Sequence, residues 1–154
     1  MRNKYPYKSM KNFTVEEATR SLALIRPIVL DIQGKWAKVK GLKDECDAII
    51  SHNLESSVNL EEKEELLDEL LKEIERYIEE LQDIGVNFRG FEEGIIDFPT
   101  KLDSRLIHLC WQLEEETVNH WHEIFEGFQN RKPITPELEE EIRQIDEIMK
   151  VPRT

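Results

Sequence analysis

Cysteine is nearly absent from this chain. Only Cys46 and Cys110 occur in 154 residues, far apart and never within a CxxC pair. That scarcity excludes a zinc ribbon or a thioredoxin-like motif. No uninterrupted apolar run approaches the roughly 20 residues that span a bilayer. The opening MRNKYPYKSMKNF lacks the apolar core of a signal peptide. Reduced thiols in a cytoplasmic protein are the expectation. Positive charge is also short, with 21 Lys and Arg against 33 Asp and Glu, a formal net charge of -12 and a pI near 4.8. Such a surface repels phosphate backbones and anionic headgroups, and no run of Lys and Arg forms a local exception, so neither nucleic acid nor membrane is an expected partner.

What is present is charge and helical periodicity. Charged residues make up 35% and hydrophobic ones 39%, the balance of a soluble, helix-rich protein. The length fits a single domain over residues 1–154 with a real core. Thr14 and Glu17 form a capping box at a helix start. Ala18, Leu22, Ile25, Val29, Ile32, Trp36 and Val39 then repeat at alternating spacings of four and three, and the seam slips on through Cys46 and Ile50. Pro27 lies inside this pattern and predicts a kink within one long helix. The polar stretch SHNLESS (51–57) breaks it. Asn59 and Glu62 open a second helix, with Leu67, Leu71, Ile74, Ile78 and Leu81 as its seam. Two such seams predict an antiparallel helical hairpin with coiled-coil character, whose surplus apolar surface predicts a dimer through the long helices.

Gly85 ends the helical pattern. Val86–Arg89, Ile95–Phe98 and Arg105–Trp111 read as a three-stranded antiparallel meander, with turns at 90–94 and 99–104. Val118, Trp121 and Phe125 restore helical spacing and predict a short helix over Thr117–Glu126. Thr135 and Pro136 cap a terminal helix over 135–150, with Leu138, Ile142, Ile145 and Met149 on its apolar face. The fold class expected is α+β, mainly helical.

Chemistry-bearing side chains concentrate between residues 97 and 131. On a strand, His108 and Cys110 share a face, a reasonable start for a borderline metal. Without flanking cysteines, the simpler expectation is a small core thiol with His108 at its edge. On a helix, His120 and His122 diverge, leaving His120 in solvent. His122 and Glu126, at i and i+4, would share a face and supply two ligands, or the carboxylate would simply orient the ring. Cys110, His122 and Glu126 therefore form the candidate site for a divalent transition metal such as zinc, with His108 or Asp97 as extra ligands. Were the segment a strand, both histidines could chelate from one face. Arg131 and Trp111 are candidates for contact with a small anionic ligand, though an internal carboxylate would serve Arg131 equally. No nucleophile, glycine-rich phosphate loop or oxyanion motif accompanies them, so the sequence leans away from an enzyme. A structural or protein-interaction module comes first, and a metal- or ligand-binding protein is the alternative.

FTVEEA (13–18), GVNFRGFEEGIIDFP (85–99) and LCWQLEEETVNHWHEIFEGFQNRKPI (109–134) together resemble a bacterial family of uncharacterised proteins, domain-of-unknown-function family 2203. The likeness covers most of residues 12–134. The family's LCW, WH and EG match Leu109-Cys110-Trp111, Trp121-His122 and Glu126-Gly127, while Glu114 and Asn130 stand where the family has glycine. The resemblance implies no activity. It directs attention to Cys110, His122 and Glu126 rather than to His108 and His120.

Overall fold

The computed structural model describes residues 12–52 and 57–150. Its elements are α1 (Val15–Ser51), α2 (Ser57–Ile84), β1 (Asn87–Gly90), β2 (Ile95–Leu102), β3 (Arg105–Gln112), β4 (His120–Glu123), a 3-10 turn (Phe128–Asn130), β5 (Lys132–Pro133) and α3 (Pro136–Lys150). The mainly helical α+β architecture is as expected, but the sheet has five antiparallel strands in the order β1-β2-β3-β4-β5 rather than three.

α1 starts where the capping box puts it. The Thr14 hydroxyl accepts from the Glu17 N–H at 3.1 Å, and the Glu17 carboxylate accepts from the Thr14 N–H at 3.1 Å. The helix runs unbroken through Pro27, with Ala18, Leu22, Ile25, Val29, Ile32, Val39 and Cys46 buried. The centre of the expected loop, 53–56, lies outside the described residues. Ion pairs Lys35–Glu73 (2.7 Å) and Glu45–Lys63 (3.0 Å) run in opposite senses along the two helices, so α1 and α2 are antiparallel. Two seam positions differ from expectation: Ile50, beyond the last buried residue of α1, is exposed, and in α2 Leu70 is buried and Leu71 exposed, because the inward face follows Leu70, Ile74 and Leu81.

α2 closes with a paired reversal. Gly85 takes φ +103°, its N–H donates to the Gln82 carbonyl (3.0 Å), and the Val86 N–H donates to the Leu81 carbonyl (3.2 Å). A residue with a Cβ would be strained at that φ. Val86 and Leu81 are both buried, the apolar contact that accompanies such an ending. The turn between β1 and β2 docks on α1. Trp36 stacks on Phe91 at 4.4 Å, and Gln33 donates to the Glu92 carbonyl at 2.8 Å. Gly94 sits there at φ +68°, where an added Cβ would meet Val29 Cγ1 and Leu113 Cβ at 3.0 Å.

Two strand boundaries correct the sequence reading. β2 continues through Pro99 to Leu102, where a turn at 99–104 was expected. A strand tolerates proline where no ladder N–H is needed. Pairing with β1 reaches no further along β2 than Asp97, so Pro99 lies on a local edge, where its carbonyl accepts from the Phe13 N–H at 3.1 Å. The expected helix over Thr117–Glu126 is instead β4, a turn and the approach to β5. Its apolar stripe was a coincidence of spacing. Val118 is buried, but Phe125 is 85% exposed, and Trp121 pairs across the sheet with Leu109. Pairing with β3 satisfies the backbone of this segment without any helical turn.

Alternation then sorts the sheet. Ile96, Phe98, Ile107, Leu109 and Trp111 join one core with Leu22, Ile25, Val29 and Ile32 of α1. Trp36 and Trp121 are partly buried against that core, and Ile142 enters it from α3. The opposite parity carries Asp97, His108, Cys110, His120 and His122.

Candidate functional site

Register brings the second set together. Asp97 on β2 pairs with Cys110 on β3, Cys110 pairs with His120 on β4, and His108 pairs with His122. Directly opposed residues on antiparallel strands have Cβ atoms only about 4.5–5.5 Å apart. Asp97, His108, Cys110 and His122 are all buried. Polar groups at that depth need partners.

Asp97 is the hub. One carboxylate oxygen lies 3.0 Å from His122 Nε2; the other lies 3.3 Å from Arg89 Nε and 3.7 Å from His108 Nδ1. His122 is only 2% exposed, and its Nδ1 lies 2.8 Å from the carbonyl oxygen of Glu123. A carbonyl can only accept, so Nδ1 carries a proton and donates it. That fixes the tautomer and aims the Nε2 lone pair of a neutral ring at a carboxylate oxygen. Both nitrogens of His122 thus face acceptors, and the arrangement needs a cation there: the imidazolium proton or a metal ion. The Asp97 hydrogen bond accordingly holds the His122 pKa above its ordinary value, against the opposing pull of burial.

His108, 6% exposed, behaves oppositely. Burial lowers its pKa, outweighing the attraction of Asp97, and its Nδ1 is buried without a hydrogen-bond partner among the described residues. Its ring meets that of His122 edge-on, with centroids 5.3 Å apart. Burial, helped by Asp97, pushes the Cys110 thiol up to about 12, so it is protonated by itself; the nearby Arg131 guanidinium only partly opposes this.

Asp97, Cys110 and His122 each offer a ligand atom, and these atoms lie within 4.8 Å of one another. Carboxylate oxygen, thiolate and imidazole nitrogen form a donor set suited to zinc or a neighbouring divalent metal. The sequence reading anticipated Cys110 and His122, with Asp97 as an extra ligand. Glu126 stands apart from them: its carboxylate accepts from the Glu123 N–H at 3.1 Å and approaches Lys132 at 3.6 Å, reaching His122 only through its charge. The i, i+4 argument for Glu126 required a helix that is not there. The same error put His120 in solvent, whereas its Nδ1 is buried 3.2 Å from Glu115 Oε2.

Glu115 and Arg89 were missed by sequence reasoning. Arg131 pairs with Glu115 Oε1 at 2.7 Å, the internal carboxylate weighed for it. Trp111 is fully buried on the core face, and its indole N–H donates to the Glu115 carbonyl at 2.8 Å. Besides the shared face of His108 and Cys110, the alternation of HWHE carried a signal for the polar face, and the helical stripe masked it.

Among the described residues, no helix is long and apolar enough to cross a membrane. No curated protein and no solved structure matches the chain. A family model does match over residues 11–134, including every residue of the buried polar face, and the chain accordingly belongs to the DUF2203 family, described as an uncharacterized conserved protein.

Proposed function

We propose that this protein is a non-enzymatic binding protein for a divalent transition metal, zinc fitting best, held by Asp97, Cys110 and His122. The observation that carries the reading is the double-acceptor environment of His122, whose Nε2 faces Asp97 at 3.0 Å while its Nδ1 is committed to the Glu123 carbonyl. A backbone carbonyl on the non-ligating nitrogen is the support that metal-bound histidines commonly have. His108, whose Nδ1 lies 3.7 Å from Asp97 and has no hydrogen-bond partner among the described residues, stands outside that trio as the candidate fourth donor. Metal would replace the His122 proton and the Cys110 thiol proton, so binding would weaken as pH falls. Both cysteines are free and buried, which favours a reducing, cytoplasmic setting.

The test is elemental analysis of untagged protein purified without chelator or added metal, followed by cobalt substitution. One equivalent of metal is expected, with a thiolate-to-cobalt charge-transfer band that Cys110→Ser abolishes and Glu126→Gln leaves intact. Metal-free protein that gives no band with cobalt would sink the reading and leave a purely structural polar network.

A further inference from the structure

The long seam of α1 is spent inside the chain, yet a second seam runs along the opposite side of the helix. Ala23, Pro27, Leu30, Gly34, Ala37, Gly41, Asp44 and Ala48 recur at alternating spacings of four and three, and every one is exposed. Leu24 flanks them, and Leu24 and Leu30 are 58% and 52% exposed. Solvated helix faces ordinarily carry charge, and glycine is, after proline, the residue a helix interior favours least. Among the described residues nothing explains the two glycines, since a Cβ at Gly34 or Gly41 meets nothing there within 4 Å.

We propose that this face binds the same face of a second copy of the chain, with the two α1 helices antiparallel. The inference is independent of the metal site. Charge and size select the occupant and the register. With Gly34 opposite Ala37 of the second copy, each Leu30 falls over the other copy's Gly41, and each Ala23 meets Ala48. Asp31 then flanks Lys38 of the second copy, both exposed. The twofold axis repeats every one of these pairings. A parallel pairing would instead set Asp44 against Asp44 and glycine against glycine, leaving repulsion and voids. The seam runs roughly 38 Å at 1.5 Å per residue, long enough for several interlocking layers.

Sedimentation of the full chain at high micromolar concentration should show a dimer. Leu30→Glu should weaken association roughly tenfold or more. Gly41→Leu, whose side chain enters open space in the single chain, should do the same while the monomer keeps or gains thermal stability. Direction is read by oxidative crosslinking. A mixture of Ala23→Cys and Ala48→Cys proteins should form mixed disulfides, and neither alone should, because like positions lie roughly 38 Å apart in the antiparallel pair. A monomer, or a dimer indifferent to both Leu30→Glu and Gly41→Leu, overturns the proposal. Self-crosslinking of each single variant overturns the antiparallel register.

Discussion

Metal-free protein, held in chelator, should be most stable near pH 6.5 and lose stability on both sides. Two buried histidines produce the two limbs. For His122, the Asp97 hydrogen bond at 3.0 Å lifts the folded pKa above the ordinary 6.5. Its contribution is fully present below 6.5 and is lost as pH rises through the folded value, because there the folded state still holds a proton that the unfolded chain has released. For His108, burial sets the folded pKa below 6.5. Its contribution is present above 6.5 and is lost as pH falls from 6.5 through the folded value, where only the unfolded chain is protonated. Each limb can reach a slope of about 1.4 kcal/mol per pH unit for one proton. Carboxylates with ordinary pKa values near 4 titrate below this window. Urea unfolding at half-unit steps from pH 5.5 to 8.5 would resolve both limbs. His122→Gln and Asp97→Asn should flatten the alkaline limb, and His108→Gln the acid one. Because His122 and Asp97 are nearly inaccessible, removing the carboxylate with Asp97→Ala should also cost about 3–5 kcal/mol. Stability that climbs steadily through pH 6 to 8, or an alkaline limb untouched by His122→Gln, would refute the assignment of a buried proton to this pair.

Two further outcomes test the packing. Gly94→Ala should destabilise by about 1–3 kcal/mol, since its Cβ would lie 3.0 Å from Val29 and Leu113 at a positive φ; an unchanged melting temperature would mean that α1 and the β1–β2 turn are more loosely joined than described. Trp111→Ala should cost about 3–5 kcal/mol, whereas Phe125→Ala, at 85% exposure, should stay within about 0.5 kcal/mol in chemical denaturation; comparable losses in the two would contradict the strand assignment of 120–123.

The parts of the fold legible in the sequence are those where local chemistry and tertiary packing agree. The Thr14–Glu17 capping box, the α1 seam and the Gly85 reversal each combine a local signal with a buried outcome. The misread parts are those where tertiary pairing overrides local spacing. Trp121 and Phe125 look helical until Leu109 claims Trp121 across the ladder. Pro99 looks like a turn until Phe13, 86 positions earlier, meets its carbonyl. The candidate site divides the same way. Cys110 and His122 stand out by residue type, whereas the approach of Asp97 depends on a register that no single segment reveals. Glu126 was placed by helical geometry and fell with it.

The ends of the sheet bear on how this molecule avoids joining itself strand to strand. β1 is four residues long and irregular between Phe88 and Gly90, while β5 has only two residues, one of them Pro133. The stretch of β2 that outruns β1 is occupied by the incoming chain: the Asn12 side chain accepts the Lys101 N–H, and Phe13 takes the Pro99 carbonyl. Both margins are thus too short, too irregular or already taken to template a foreign strand, the route by which open sheets aggregate. Among the described residues, the sheet offers little that would let one copy extend another edge to edge.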